Sequence, residues 1–208
     1  MIEPMNVAMA LFDFVPVALF VIASILLQRD LYPEMGKGPF AVFAAGTFTV
    51  GVAGIFKATW KLLYALWICD FVALNNCFFP MQTVGFLLAA GGILSHVSGK
   101  KPRNAVYSVA AAPVAYTSSM PFVILMVFGV LGLDGGLIVL AKRRGKTIGI
   151  VLYAVSFVFI MMMGYLSSRD FSEPLMNWIA EFVNTIGQGT FLAGTLIIRK
   201  AVAPARNQ

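Results

Sequence analysis

Long unbroken apolar runs alternate with short polar clusters along the whole chain. The first run extends from about Met5 to Leu27 and is followed by a charged loop with Arg29, Asp30, Glu34 and Lys37. A second run starts near Gly38 and continues to about Phe56. Pro80 opens a third, which ends at the Lys100 cluster. Residues 104–117 form a shorter apolar segment with Pro113 inside it. Further runs cover about 121–141, 147–167 and 174–198. Apolar stretches near 20 residues are the length of a membrane-crossing helix. Continuous runs such as Val15 to Leu27 lack the period-two alternation of barrel strands.

The stretch from Phe56 to Phe79 has no Gly or Pro and is amphipathic. It reads in two ways. As part of an outer hairpin, continuing the second helix or lying at the interface, it gives seven spans. As a separate span it gives eight. The Lys and Arg bias does not choose between them. A short similarity leans towards seven: acid-Phe-Val occurs at Asp13, Asp70 and Glu181, and both the first and last helices begin with Glu-Pro. A shared motif suggests a shared orientation for those two helices. The expected fold is therefore an all-α polytopic integral membrane bundle, one transmembrane domain over residues 1–208. Seven helices are preferred to eight, with the N-terminus outside and the C-terminus cytoplasmic.

Composition agrees with this class. Hydrophobic residues make up 60% and charged residues 12%, with mean hydropathy +0.87, whereas soluble domains carry about 25% charge. The net charge of +6 does not signal nucleic acid. Its basic residues cluster at the ends of apolar runs, at Lys100–Arg103, Lys142–Lys146 and Arg199–Arg206, as the positive-inside rule expects. The expected location is a bacterial inner membrane. Cys69 and Cys77 make no disulfide framework, and the lone His96 rules out paired-histidine haem ligation. No cofactor or metal site is expected.

Candidate chemistry rests on acids inside apolar runs, where each ionised group costs ~2.5–3.5 kcal/mol at a helix centre. Asp13, Asp70, Asp134 and Glu181 are in such places. At 100° per residue, Asn177, Glu181, Asn184, Gln188 and Thr195 share one face of the last helix. Such a stripe faces the bundle interior, either as helix–helix glue or as a hydrated site. Asn6, Asp13 and Ser24 repeat the pattern on the first helix, with Pro16 close by. Asp70 is surrounded by Trp60, Tyr64 and Trp67, which suits a cationic ligand or an aromatic belt at the interface. Asp134 lies in a Gly-rich stretch that reads as close packing or as a broken helix at an ion site.

The expected binding set is Asp13, Asp70, Glu181, Asn184, Gln188, Asn177, Trp67 and Trp178. Asp134 is a separate ion-site candidate. HExxH, GxSxG and phosphate-loop motifs are absent from the sequence, so the reading leans away from an enzyme. The expected function is a small transporter or solute-binding membrane protein with an outward-facing acidic cavity. It would take a cation, an amine or a proton-coupled solute. The alternatives are a sensor or accessory subunit acting through a membrane partner, and an intramembrane hydrolase using paired carboxylates. The expected partners are the lipid bilayer, the solute or protons, and a possible membrane-protein partner or second copy, with no nucleic acid.

Overall fold

The computed structural model describes residues 6–99, 120–166 and 174–199, and every regular element among them is helical. The first run forms α1 (Val7–Phe12) and α2 (Phe14–Leu31). The Asn6 side chain caps α1 by accepting from the Ala8 N–H at 2.9 Å. The Asp13 N–H still donates to the Met9 carbonyl at 3.1 Å, so the axis passes through Asp13 with only a local turn. Pro16 falls in the first turn of α2, where its missing N–H costs no internal bond.

α3 (Lys37–Ala65) is 29 residues long, about 44 Å at 1.5 Å per residue. It outruns a ~30 Å hydrocarbon core, so Lys57 and Lys61 come at its far end. The chain leaves the helix at Trp67, which has φ 58°. It makes one short helix, α4 (Val72–Asn76), then enters α5 (Phe78–Ser98). Gly99, at φ 66°, ends α5 in the left-handed conformation that a C-terminal glycine allows. α6 (Met120–Arg143), α7 (Thr147–Leu166) and α8 (Pro174–Ile198) complete the described helices.

The span count differs from the expectation. Among the described residues five helices are long and apolar enough to cross a membrane: Val7–Leu31, Lys37–Ala65, Val72–Ser98, Pro121–Arg143 and Thr147–Leu166. This replaces the bundle of seven or eight spans. Residues 57–79 make no span of their own: their first part lengthens α3 and the rest turns into α5. The expected segment at 104–117 lies outside the described residues. α8 carries Asn177, Glu181, Asn184 and Gln188, and that polar stripe removes it from the strongly apolar set. The chain is nonetheless a multi-pass, all-α membrane-spanning protein.

Among the described residues six long helices form a closed ring in the order α2, α3, α5, α6, α7, α8, with α8 returning to α2. Glycines set the closest contacts. A Cβ on Gly46 of α3 would fall 2.3 Å from the Ala89 nitrogen of α5, and one on Gly85 2.6 Å from Val50. Gly129 and Gly132 of α6 meet Phe86 and Ala90 of α5 in the same way. Small residues let helix backbones approach in lipid, where dispersion replaces the hydrophobic drive. α5 and α6 run in the same direction: the Thr83 hydroxyl donates to the Phe122 carbonyl at one end (2.8 Å), and Gly136 meets Ile93 further along.

Arginines close one end of the ring. Arg143 donates to the Val97 carbonyl at the end of α5. Arg144 donates to the Ile198 carbonyl at the end of α8 (2.8 Å) and pairs with Glu34 (2.8 Å). Arg199 pairs with Asp30 (2.9 Å). Helix C-termini leave carbonyls unpaired and carry partial negative charge, which guanidinium groups complement. Arg143, Arg144 and Arg199 therefore hold helix ends together.

Candidate functional site

At the opposite end the ring encloses a cavity of about 440 Å³, within the range of small-molecule sites. All six ring helices line it, α6 through Val123 and Met126, and Phe20 and Phe86 (ring centroids 6.1 Å apart) narrow its inner end. The α8 stripe faces it: Asn177, Glu181, Asn184 and Gln188 all line it, as does Asp13 just before α2.

The centre of the site is an ion triad. Lys61 of α3 donates to Glu181 Oε1 at 2.5 Å, and its Nζ is 3.2 Å from Asp13 Oδ1. The three side chains are 13%, 6% and 10% exposed, so the triad is screened from water on most sides. Three helices are thereby joined at one depth. Glu181 Oε2 is buried and has no hydrogen-bond partner among the described residues. Lys57, one turn before Lys61, also lines the cavity. Its ammonium is 4.1 Å from the centroid of the Phe78 ring and 5.4 Å from that of Phe79, in cation–π range. No carboxylate is within ion-pair distance of it among the described residues.

Other expected members lie elsewhere. Asp70 is exposed beyond the end of α3 and does not line the cavity; it accepts from the indole N–H of Trp60 at 2.8 Å. Trp67 is 80% exposed. The turn after Ala65, with Trp67 at φ 58°, carries both away from the ring. Trp178 packs its ring on Phe12 (5.8 Å) and Phe182 (6.0 Å) rather than lining the cavity. Asp134 lies deeper in the bundle, at 2% exposure. The helix runs unbroken through it, because Gly132 and Gly136 fit against α5 and leave no gap in the backbone ladder.

The sequence reading missed Lys57, Lys61, Trp60, Asn75 and Gln82 as cavity residues. Lys57 and Lys61 are four apart and so share a face of α3 with Gly54, but they read as interfacial anchors once the helix was expected to stop near Phe56. Their placement argues against a bare cation as the ligand, because Lys61 already pairs with both acids and Lys57 lines the same cavity. The formal charges of Asp13, Glu181, Lys57 and Lys61 cancel. Among the described residues no group of three or more His, Cys, Asp or Glu side chains is arranged to hold a metal ion. No known protein family, curated protein or solved structure matches the chain.

Proposed function

We propose that the protein is a membrane carrier or solute-binding protein that takes a small solute with an amine at one end and an anionic or acceptor group at the other. The observation that carries this reading is the Asp13–Lys61–Glu181 triad in a cavity that also holds the unpaired Lys57. A solute amine competes with Lys61 for the two carboxylates, and Lys57 takes the negative end. The balanced charge favours such a solute over a bare cation, since a buried site tolerates little net charge. Asn177, Asn184, Gln82 and Gln188 supply amide donors and acceptors for orientation. Proton coupling follows the same geometry, because an acid released by Lys61 in a desolvated site is stabilised by taking up a proton.

The arginine-bearing end is the cytoplasmic one under the positive-inside rule, so the cavity opens outward; a bacterial cytoplasmic membrane fits this arrangement. A paired-carboxylate hydrolase is disfavoured, because Lys61 is within ion-pair distance of both acids and occupies the side where a substrate would have to meet them. The test uses the intrinsic fluorescence of Trp60, which lines the cavity. Purified protein is titrated with primary amines and with amino acids. Binding of the latter class, lost in Glu181→Gln and in Asp13→Asn, is the expected result. Binding unchanged by both substitutions would remove the reading.

A further inference from the structure

Beneath the cavity floor the ring holds a second series of buried polar groups. Ser24 of α2 is one turn below cavity-lining Phe20, and Ser156 of α7 is one turn below Ile160. Asp134 of α6 is two turns below Met126. On α8, Thr195 continues the face of Gln188, and its hydroxyl is 3.1 Å from the Tyr153 hydroxyl of α7. Gly149 and Ala141 touch where α6 and α7 meet near the arginine end, and counting back along the antiparallel pair places Asp134 level with Ser156. Both Asp134 oxygens and the hydroxyls of Ser24 and Ser156 are buried with no hydrogen-bond partner among the described residues. So is Gln188 Oε1 at the cavity floor.

An ionised carboxylate in this position would be uncompensated at mid-bundle, at a cost that the neutral acid largely avoids. Among the described residues its neighbours supply no counter-charge. From α7, Tyr153 is the titratable group that it senses, and α5 presents Ala90 and Ile93 to this stretch of α6. Tyr153 in turn senses Arg144 at the far end. A single acid spaced between hydroxyls, with a polar cavity on one side and an ion-paired end on the other, has the layout of a proton path.

We propose that Asp134 is a proton-carrying station that links the cavity to the arginine end. The idea rests on the carrier reading and names the proton as its coupling ion. In each transfer one O–H bond of Asp134 breaks as one forms on the adjoining hydroxyl or a water oxygen. That oxygen releases its other proton onward towards Tyr153 and Thr195. The carboxylate then takes a proton from the cavity side, and nothing is oxidised or reduced.

The experiment uses the full chain reconstituted in vesicles that contain a pH-sensitive dye, with a potassium diffusion potential as the driving force. Wild type acidifies or alkalinises the lumen, Asp134→Glu does so at a comparable rate, and Asp134→Asn falls to the rate of protein-free vesicles. Wild-type flux in Asp134→Asn, or no flux in wild type, overturns the proposal. Amino-acid binding at Trp60, measured in parallel, separates the two readings: binding without Asp134-dependent flux leaves the carrier standing and removes the station, and the converse result does the opposite. Should Asp134→Asn not fold, infrared spectra of aspartate-labelled protein decide. A protonated-carboxyl stretch that survives Asp13→Asn is expected, and its absence overturns the proposal.

Discussion

Replacing Lys61 with Met removes the charge that holds the cavity together and keeps most of the side-chain volume. Asp13 and Glu181 are then left facing each other at 10% and 6% side-chain exposure. Removing one partner of a buried ion pair costs about 3–5 kcal/mol, because the remaining charge is left uncompensated. For a chain of this length each kcal/mol moves Tm by about 2–4 °C, so Lys61→Met should lose about 6–20 °C in detergent. Glu181→Gln should lose less, since Lys61 keeps Asp13. The triple variant Asp13→Asn, Lys61→Met, Glu181→Gln should regain most of the loss, because no charge remains to be compensated. The pH dependence has a definite sign. In Lys61→Met the folded state favours protonated acids, so it binds more protons than the unfolded chain and its stability rises as pH falls. Thermal unfolding of the variants across a pH series, followed by tryptophan fluorescence, measures all of this. A Tm for Lys61→Met equal to wild type, or a deficit that grows on acidification, would refute the reasoning.

The remaining predictions concern packing and access. Gly46→Ala should destabilise by at least the 1–3 kcal/mol of an overpacked core, since its Cβ meets backbone rather than a movable side chain; Gly135→Ala, with nothing within 4 Å, should stay near wild type, and the pair is compared by detergent melting. Tyr153→Phe loses one buried bond to Thr195 and should cost about 0.5–1.5 kcal/mol, read in the same assay. A membrane-impermeant maleimide added to intact cells should label Cys69, which is exposed past the cavity end of α3, well before the partly buried Cys77. Equal rates, or no labelling of Cys69, would place that end differently.

The α8 stripe was legible in the sequence because a 100° period projects Asn177, Glu181, Asn184 and Gln188 onto one face whatever the neighbouring helices do. The acid-Phe-Val match likewise placed Asp13 and Glu181 at one depth, since α2 and α8 run side by side in the same direction. Lys61 was not legible. A charge at the end of an apolar run reads as an anchor, and only the three-dimensional meeting of α2, α3 and α8 turns it into an ion-pair partner. Asp70 failed for the opposite reason: its aromatic neighbours looked like a site, but the turn at Trp67 takes it out of the ring. The span count also depended on where α3 ends. That was a competition between two charged residues and an uninterrupted helical run, and the helix prevailed as far as Ala65.

The glycine contacts divide the ring mechanically. Gly46, Gly85, Gly129 and Gly132 bring α3, α5 and α6 into close contact, so these three helices pack as one slab. α2 and α8 lack such seams with the slab and meet α3 mainly through valine side chains and the triad. Lys61 belongs to the slab, while Asp13 and Glu181 belong to the other half. The triad is thus a latch across the line along which the bundle can part. A motion that widens the cavity there must draw one ammonium off two carboxylates at once, and in the proposed carrier a solute that supplies its own ammonium does the unlatching.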